Sequence, residues 1–344
     1  SAGISRQAAE WSLSLTIGAI PEQVLADTKL RVLDILGVSL AASTTDVGRV
    51  VRDAAICLGA GDEARVIGFG DRLSAASAAV ANGTLAHTLD YDDTHNRSVI
   101  HVSAPSVATA LTAGEAVAAD GAMTLAALIA GSELVCRIGI VVPGGFHARG
   151  YHATGVIGTF GAAITAGRLF GLDANQTVNA LGIAGSQAAG ILEFFSDGSS
   201  AKRFHPGWAA HSGIAAVYLA RAGFTGPATV LEGRYGLFNT HLGPGEYDVE
   251  SILDDLGERW ECINTSYKPY PCGHVVHPFL DAVLALHREE GLRAEDVEQI
   301  TCPIAEWMIP IMCEPREIKL KPKTDYHAKF SFPFSIAAAL HFGR

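Results

Sequence analysis

Residues 81–105 read ANGTLAHTLDYDDTHNRSVIHVSAP, and His87, Asp90, Asp92, Asp93, Thr94, His95 and His101 crowd the exit of an alanine-rich helix there. Aspartate and histidine are costly to bury unless they are paired, hydrogen-bonded or put to use, so this density points to a site. Imidazole moves protons near neutral pH, and a neighbouring carboxylate can orient or charge the ring. Two more histidines, His147 and His152, lie in the glycine-rich stretch 143–154, PGGFHARGYHAT. A third polar stretch, 196–206 (SDGSSAKRFHP), offers Lys202 and Arg203. Each has a plainer reading: a solvated loop for the first cluster, a capping histidine for His152 and an exposed basic patch for Lys202.

Helices must carry these segments. Pro21 opens a helix with Leu25, Val32, Leu33, Leu36 and Leu40 at helical spacing. Ser74 caps the next, whose small face is Ala75, Ala78, Ala79 and Asn82. Ser103 and Pro105 read as the N-cap and first turn of another, and residues 123–142 supply one more. The 143–154 loop opens onto a helix ending near Leu169, and Asp173 with Gln176 forms a capping-box-like start for a helix reaching toward Leu192. The 196–206 loop leads into a small-residue helix over 207–222. After about Gly243 the composition shifts: 247–261 is acidic, 297–303 reads as a strand, and helices follow over 277–289 and 329–342. The expected architecture is mainly α, with an all-helical domain over 1–243 and a smaller α+β lid domain over 244–344.

Composition narrows the function. At 344 residues the chain exceeds what one core usually supports, and 49% apolar against 18% charged residues describes a globular chain with much buried surface. A net charge of -11 with no basic run argues against nucleic acid, although local cations can still hold a small anion. Cys57, Cys136, Cys262, Cys272, Cys302 and Cys313 are scattered without a CxxC pair, which fits a reducing cytoplasm. Glu133 and Arg137 interrupt the apolar stretch 122–142, so a soluble protein without a membrane span is expected.

The chain resembles the MmgE/PrpD family, which includes 2-methylcitrate dehydratase, cis-aconitate decarboxylase and iminodisuccinate epimerase. The matching pieces are ANGTLAHTLDYDDT at 81–94, His101-x-Ser103-x-Pro105, GYHATGVIGTFGAA at 150–163, the Lys202 loop, KPYPCGHVVH at 268–277 and AKFSFPFSIAAAL at 328–340. The resemblance implies a helical domain with an α+β lid, a site in the cleft between them, and a homodimer. It marks Asp90, Thr94, His101, His152, Lys202 and Lys268, with His274 or His277, as site residues. Phe334 stands where dehydratase-like and decarboxylase-like members carry tyrosine. Members commonly run on past the last motif by about a small domain's length, so the second domain is expected to be incomplete here.

These residues imply a metal-independent lyase or isomerase that abstracts a proton next to a carboxylate of a small di- or tricarboxylate, without a cofactor. The outcome is dehydration, decarboxylation or epimerisation. His101 and His152 are the acid/base candidates, Lys202 the carboxylate anchor, Asp90 the residue that orients or charges a histidine, and Thr94 a donor to substrate. Epimerisation would instead oppose Tyr151 and Lys268 across one carbon, and His277 is a substrate-binding candidate. Cys272, His274 and His277 also permit a metal reading. Two rival functions are a magnesium-dependent helical synthase using Asp92 and Asp93, and a non-catalytic helical binding protein.

Overall fold

Alanine costs a helix least of all residues, and glycine lets two backbones touch where a Cβ would keep them apart. A computed structural model describes residues 3–343, with helix as the dominant regular structure. The helices are α1 (Ile4–Ser14), α2 (Glu22–Ser43), α3 (Asp46–Leu58), α4 (Ala75–Thr88), α5 (Ser103–Ala116), α6 (Gly121–Ile140), α7 (Gly145–Ala148), α8 (Ala153–Leu169) and α9 (Ala174–Gly185). They continue as α10 (Phe194–Asp197), α11 (Ala201–Arg221), α12 (Leu237–Leu242), α13 (His277–Glu289), α14 (Ile309–Met312), α15 (Arg316–Leu320), α16 (Asp325–Lys329) and α17 (Phe332–Phe342). The strands are two-residue pieces: β1 (Ala64–Arg65) pairs antiparallel with β2 (Arg72–Leu73), and β3 (Thr94–His95) with β4 (Thr265–Ser266).

Two compact units result. The first holds the chain through Leu192 together with Ala201–Tyr267, and the second holds Glu193–Ser200 and the chain from Lys268 onward. Composition placed the change near Gly243, but residues 244–267 pack with the first unit. Buried Glu133 accepts hydrogen bonds from the backbone N–H groups of Glu261 and Cys262, at 3.0 and 2.9 Å. Arg137 donates to the carbonyls of Ile252, Asp254, Asp255 and Arg259, while its Nε lies 2.6 Å from Glu133. The charges that interrupt the apolar stretch are therefore structural. They clip residues 252–262 onto α6, the one helix among the described residues long and apolar enough to cross a membrane. Its apolar window is 78% buried inside the unit.

α8 and α11 lie together at the centre of the first unit, with α4, α5 and α6 against them. All of α4 is buried, which explains why it carries no polar stripe. A Cβ on Gly207 would sit 2.2 Å from the Val80 carbonyl oxygen, and one on Gly83 would sit 2.7 Å from Gly207 Cα. That glycine pair lets α4 and α11 touch. The contact brings the end of one helix beside the start of the other.

Several helix ends follow the sequence. Ser74 caps α4, Asp173 and Gln176 form the capping box of α9, and Pro278 lies in the first turn of α13. Others differ. α9 stops at Gly185, and Ser103 lies inside α5 with its hydroxyl turned to Asp93. α11 begins at Ala201, so Lys202 is on a helix; Pro206 inside it forgoes only the bond to the Lys202 carbonyl.

In the second unit α13 packs on α17, and Phe279 meets Phe332 with ring centres 4.8 Å apart. The strand expected over 297–303 does not form, and no strand occurs among this unit's described residues. The mainly α class holds, and the α+β character expected of the second domain is not seen among its described residues. A strand is held by its partner's hydrogen bonds, and among the described residues this segment has no pairing strand, with Ile300 45% exposed.

Candidate active site

The end of α4 turns sharply. Asp90 sits at φ 52°, in the left-handed region that aspartate tolerates better than most residues. Its Oδ1 lies 2.5 Å from Lys202 Nζ at the first turn of α11, and both side chains are at most 5% exposed. In so dry a setting a charged pair interacts far more strongly than in water.

From Asp90 the chain passes Asp92 and Asp93 into β3, whose register sets Thr94 opposite Ser266. Residues 95–100 then fold back, with the His95 N–H bonded to the Ile100 carbonyl at 2.8 Å, and this returns His101 beside the acids. His87 Nδ1 lies 2.8 Å from Asp92 Oδ2, and His101 Nδ1 lies 3.5 Å from the same oxygen. His101 Nδ1 is also 2.9 Å from the Asp93 carbonyl, which can only accept, so Nδ1 carries the hydrogen and Nε2 is the basic nitrogen of the neutral ring. Thr94 Oγ1 stands 3.4 Å from that Nδ1, and the His101 N–H donates to Thr154 Oγ1 on α8 at 3.1 Å.

Asp93 serves the scaffold. Its carboxylate accepts from the Ser103 N–H at 3.1 Å and from the Ser103 hydroxyl, which ties it to the start of α5. Burial pushes its carboxyl up to about 6, against the pull of Arg31. Both acids of the magnesium reading are thus fully buried and engaged, Asp92 by imidazole and Asp93 by Ser103.

His152 precedes α8. Its ring stacks 5.6 Å from His87, lies 6.1 Å from His101, and meets His205 of α11 through Nδ1 atoms 3.0 Å apart. Burial, and then the Lys202 charge, hold His152 well below the usual imidazole range and take His205 and His147 to about 4. His87, His101 and His152 offer ring nitrogens within 4.8 Å of one another. A tetrahedral ion would draw them to roughly 3.4 Å. The Nδ1 atoms of all three already meet Asp92, the Asp93 carbonyl or His205, which orients the rings for proton handling and equally for ligation through Nε2.

The structure therefore brings Asp90, Thr94, His101, His152 and Lys202 into the first unit's buried cluster. Tyr151 lies against His241, with ring centres 4.9 Å apart, and its backbone bridges to Ile191. Lys268 and His277 belong to the second unit, where Lys268 Nζ and His277 Nε2 each lie 3.3 Å from the Cys272 carbonyl. The His274 and His277 rings are 4.9 Å apart; because His277 Nε2 meets a carbonyl it carries hydrogen, which leaves only Nδ1 for a metal. Sequence reasoning missed His205, and a signal existed. Lys202 and His205 are three residues apart and share a face once the helix is started at residue 201.

A dry lysine–aspartate pair beside clustered imidazoles, on close-packed small-residue helices, is equipped to hold an anion and move a proton. Residues 6–250 match the MmgE/PrpD N-terminal domain and residues 270–344 the MmgE/PrpD C-terminal domain, and the chain belongs to the MmgE/PrpD family. It is 29% identical over 298 residues to a cis-aconitate decarboxylase of Aspergillus terreus, which covers 83% of this chain and 60% of that protein. The cis-aconitate decarboxylase-like protein oryM of Aspergillus oryzae is 29% identical over 322 residues, covering 88% and 66%. The cis-aconitate decarboxylase of Homo sapiens is 26% identical over 338 residues, covering 95% and 68%. The chain spans about 60% of the length of the first Aspergillus terreus relatives it matches.

Proposed function

We propose that this chain carries the catalytic centre of a lyase that makes or breaks a C–H bond beside a carboxylate of a small di- or tricarboxylate. The observation that carries the reading is the buried Asp90–Lys202 pair beside His87, His101 and His152. Lys202 receives a substrate carboxylate and offsets the negative charge that develops next to it. His101 and His152 hold or deliver the proton, and Asp92 stands behind His101 and His87 to balance the charge a proton brings. With its cation supplied by Lys202, this chemistry needs no metal ion.

Among the outcomes, the names of the relatives favour decarboxylation of a tricarboxylate of the cis-aconitate kind. In that reaction the C–CO2 bond breaks and its electron pair moves toward the neighbouring unsaturated carboxylate. A histidine then returns a proton to carbon, so that tricarboxylate plus one proton gives dicarboxylate plus CO2. Dehydration would use the same cation and base in another order. The test is product analysis by NMR after incubating the full-length enzyme, treated with a chelator, with a panel of di- and tricarboxylates. CO2 release with a new C–H bond supports the reading. Absence of any turnover across the panel would leave the helical binding protein as the better account.

A further inference from the structure

His152 and His205 face each other through like atoms, Nδ1 to Nδ1, at 3.0 Å. Two N–H groups cannot bond to each other and neither can two lone pairs, so the contact holds one proton. Both rings are buried and both titrate low, so at neutral pH each carries a single hydrogen. The contact therefore couples the two tautomers. With the proton on His152 Nδ1, the lone pair of His152 is at Nε2; with the proton on His205, His152 Nε2 carries hydrogen.

We propose that His205 is a positioning residue that accepts the Nδ1–H of His152 and so holds His152 Nε2 as the nitrogen that exchanges a proton with the substrate carbon. This rests on the lyase reading above. His87 and His101 both stand beside the Asp92 carboxylate, which favours a charged ring. His152 has a neutral imidazole as its Nδ1 partner, and the groups that act on it include Lys202, His87, His205 and His147. That arrangement orients the ring without charging it, so Nε2 is ready where carbon must lose a proton and readily gives up a proton that carbon must gain. When a proton passes between carbon and Nε2 in either direction, the Nδ1–H bond to His205 is kept and His205 stays neutral.

The scaffold holds the pair in place. His205 lies one turn beyond Lys202 on α11, so one helix positions the cation and the partner of the base. Gly190 lies beneath the His205 ring at φ 132°, where a Cβ would approach Nδ1 to 3.2 Å, and a Cβ on Gly155 would approach His205 Cβ to 3.1 Å. The His152 N–H is bonded to the Gly190 carbonyl at 3.0 Å, so the segment bearing the base is tied to the one beneath its partner.

The test begins without substrate, in the full chain labelled with 15N at histidine. Imidazole 1H–15N spectra near neutral pH are expected to show His152 protonated at Nδ1 and bare at Nε2. His205→Asn, whose carbonyl oxygen can take the place of Nδ1, is expected to keep that tautomer and keep kcat within about fivefold. His205→Leu, which fills the space without an acceptor, is expected to lose the tautomer and lower kcat by about tenfold to a hundredfold with KM nearly unchanged. An Nε2–H tautomer of His152 in the wild type would overturn the proposal, as would equal losses in the Asn and Leu variants. Should the Leu variant not fold, the wild-type spectrum and the Asn variant still decide it. The spectra stand whatever the substrate proves to be, so failure of the lyase reading is separately visible.

Discussion

Lys202 Nζ lies 2.5 Å from Asp90 Oδ1, although 112 residues separate the two and neither side chain is more than 5% exposed. Removing one member of such a pair strands the other charge, typically at a cost of about 3–5 kcal/mol. Lys202→Ala is therefore expected to lower the melting temperature and also to reduce kcat/KM by the equivalent of about 2–4 kcal/mol. The double variant Asp90→Asn with Lys202→Met separates the two effects. It is expected to regain most of the stability and none of the activity, as thermal melts and steady-state kinetics would show. Recovery of activity with stability would mean that Lys202 only balances Asp90.

Proton transfer is separable from the overall reaction. A substrate or close analogue in heavy water is expected to exchange its hydrogen next to the carboxylate on the wild-type enzyme. Replacing His101 or His152 with Asn is expected to slow that exchange by about a hundredfold or more. NMR loss of the C–H signal measures it. Full exchange in both variants would remove the two histidines as bases.

The helices and their caps were legible because they are local: Ser74, the Asp173–Gln176 box and Pro278 act within one turn of themselves. The candidate site was legible in part, since Asp90, Thr94 and His101 share one stretch of chain. What escaped depends on contacts between distant segments. His205 was hidden because residues 196–206 read as a polar loop, which concealed the face it shares with Lys202. The division at Tyr267 was hidden because Glu133 and Arg137 bind backbone groups of 252–262, which side-chain patterns do not reveal. The strand over 297–303 does not form among the described residues, because a local reading of one segment does not supply a pairing partner.

Stability is expected to depend on pH through two groups of opposite sign. Burial, and then the charges of Asp93 and Asp92, raise the Asp34 carboxyl to about 6. The folded state thus holds that proton more tightly than the unfolded chain. Its contribution is complete below about pH 4 and is lost as pH rises through about 6. His147, held to about 4 by burial and then by Lys202, runs the other way: the unfolded imidazole charges first, so stability is lost as pH falls from about 6.5 toward 4. Asp34→Asn is expected to raise the melting temperature more at about pH 7 than at about pH 4, and His147→Phe to lessen the acid loss. Equal shifts at both pH values would contradict the assignment.

Asp92 offers the most direct separation of binding from chemistry. Its carboxylate sits 2.8 Å from His87 Nδ1 and 3.5 Å from His101 Nδ1, fully buried. Asparagine keeps the shape and can still accept from one ring, but it cannot balance an imidazolium. In a dry site that charge balance matters most when the proton is on the ring, a state reached during turnover and not on binding. Asp92→Asn is therefore expected to lower kcat by about a hundredfold or more while KM changes little, because no substrate carboxylate is held by an anion. Steady-state kinetics on the full-length enzyme, with the substrate found by product analysis, reads both constants. A raised KM at unchanged kcat would show that Asp92 shapes the binding pocket instead of supporting the histidines.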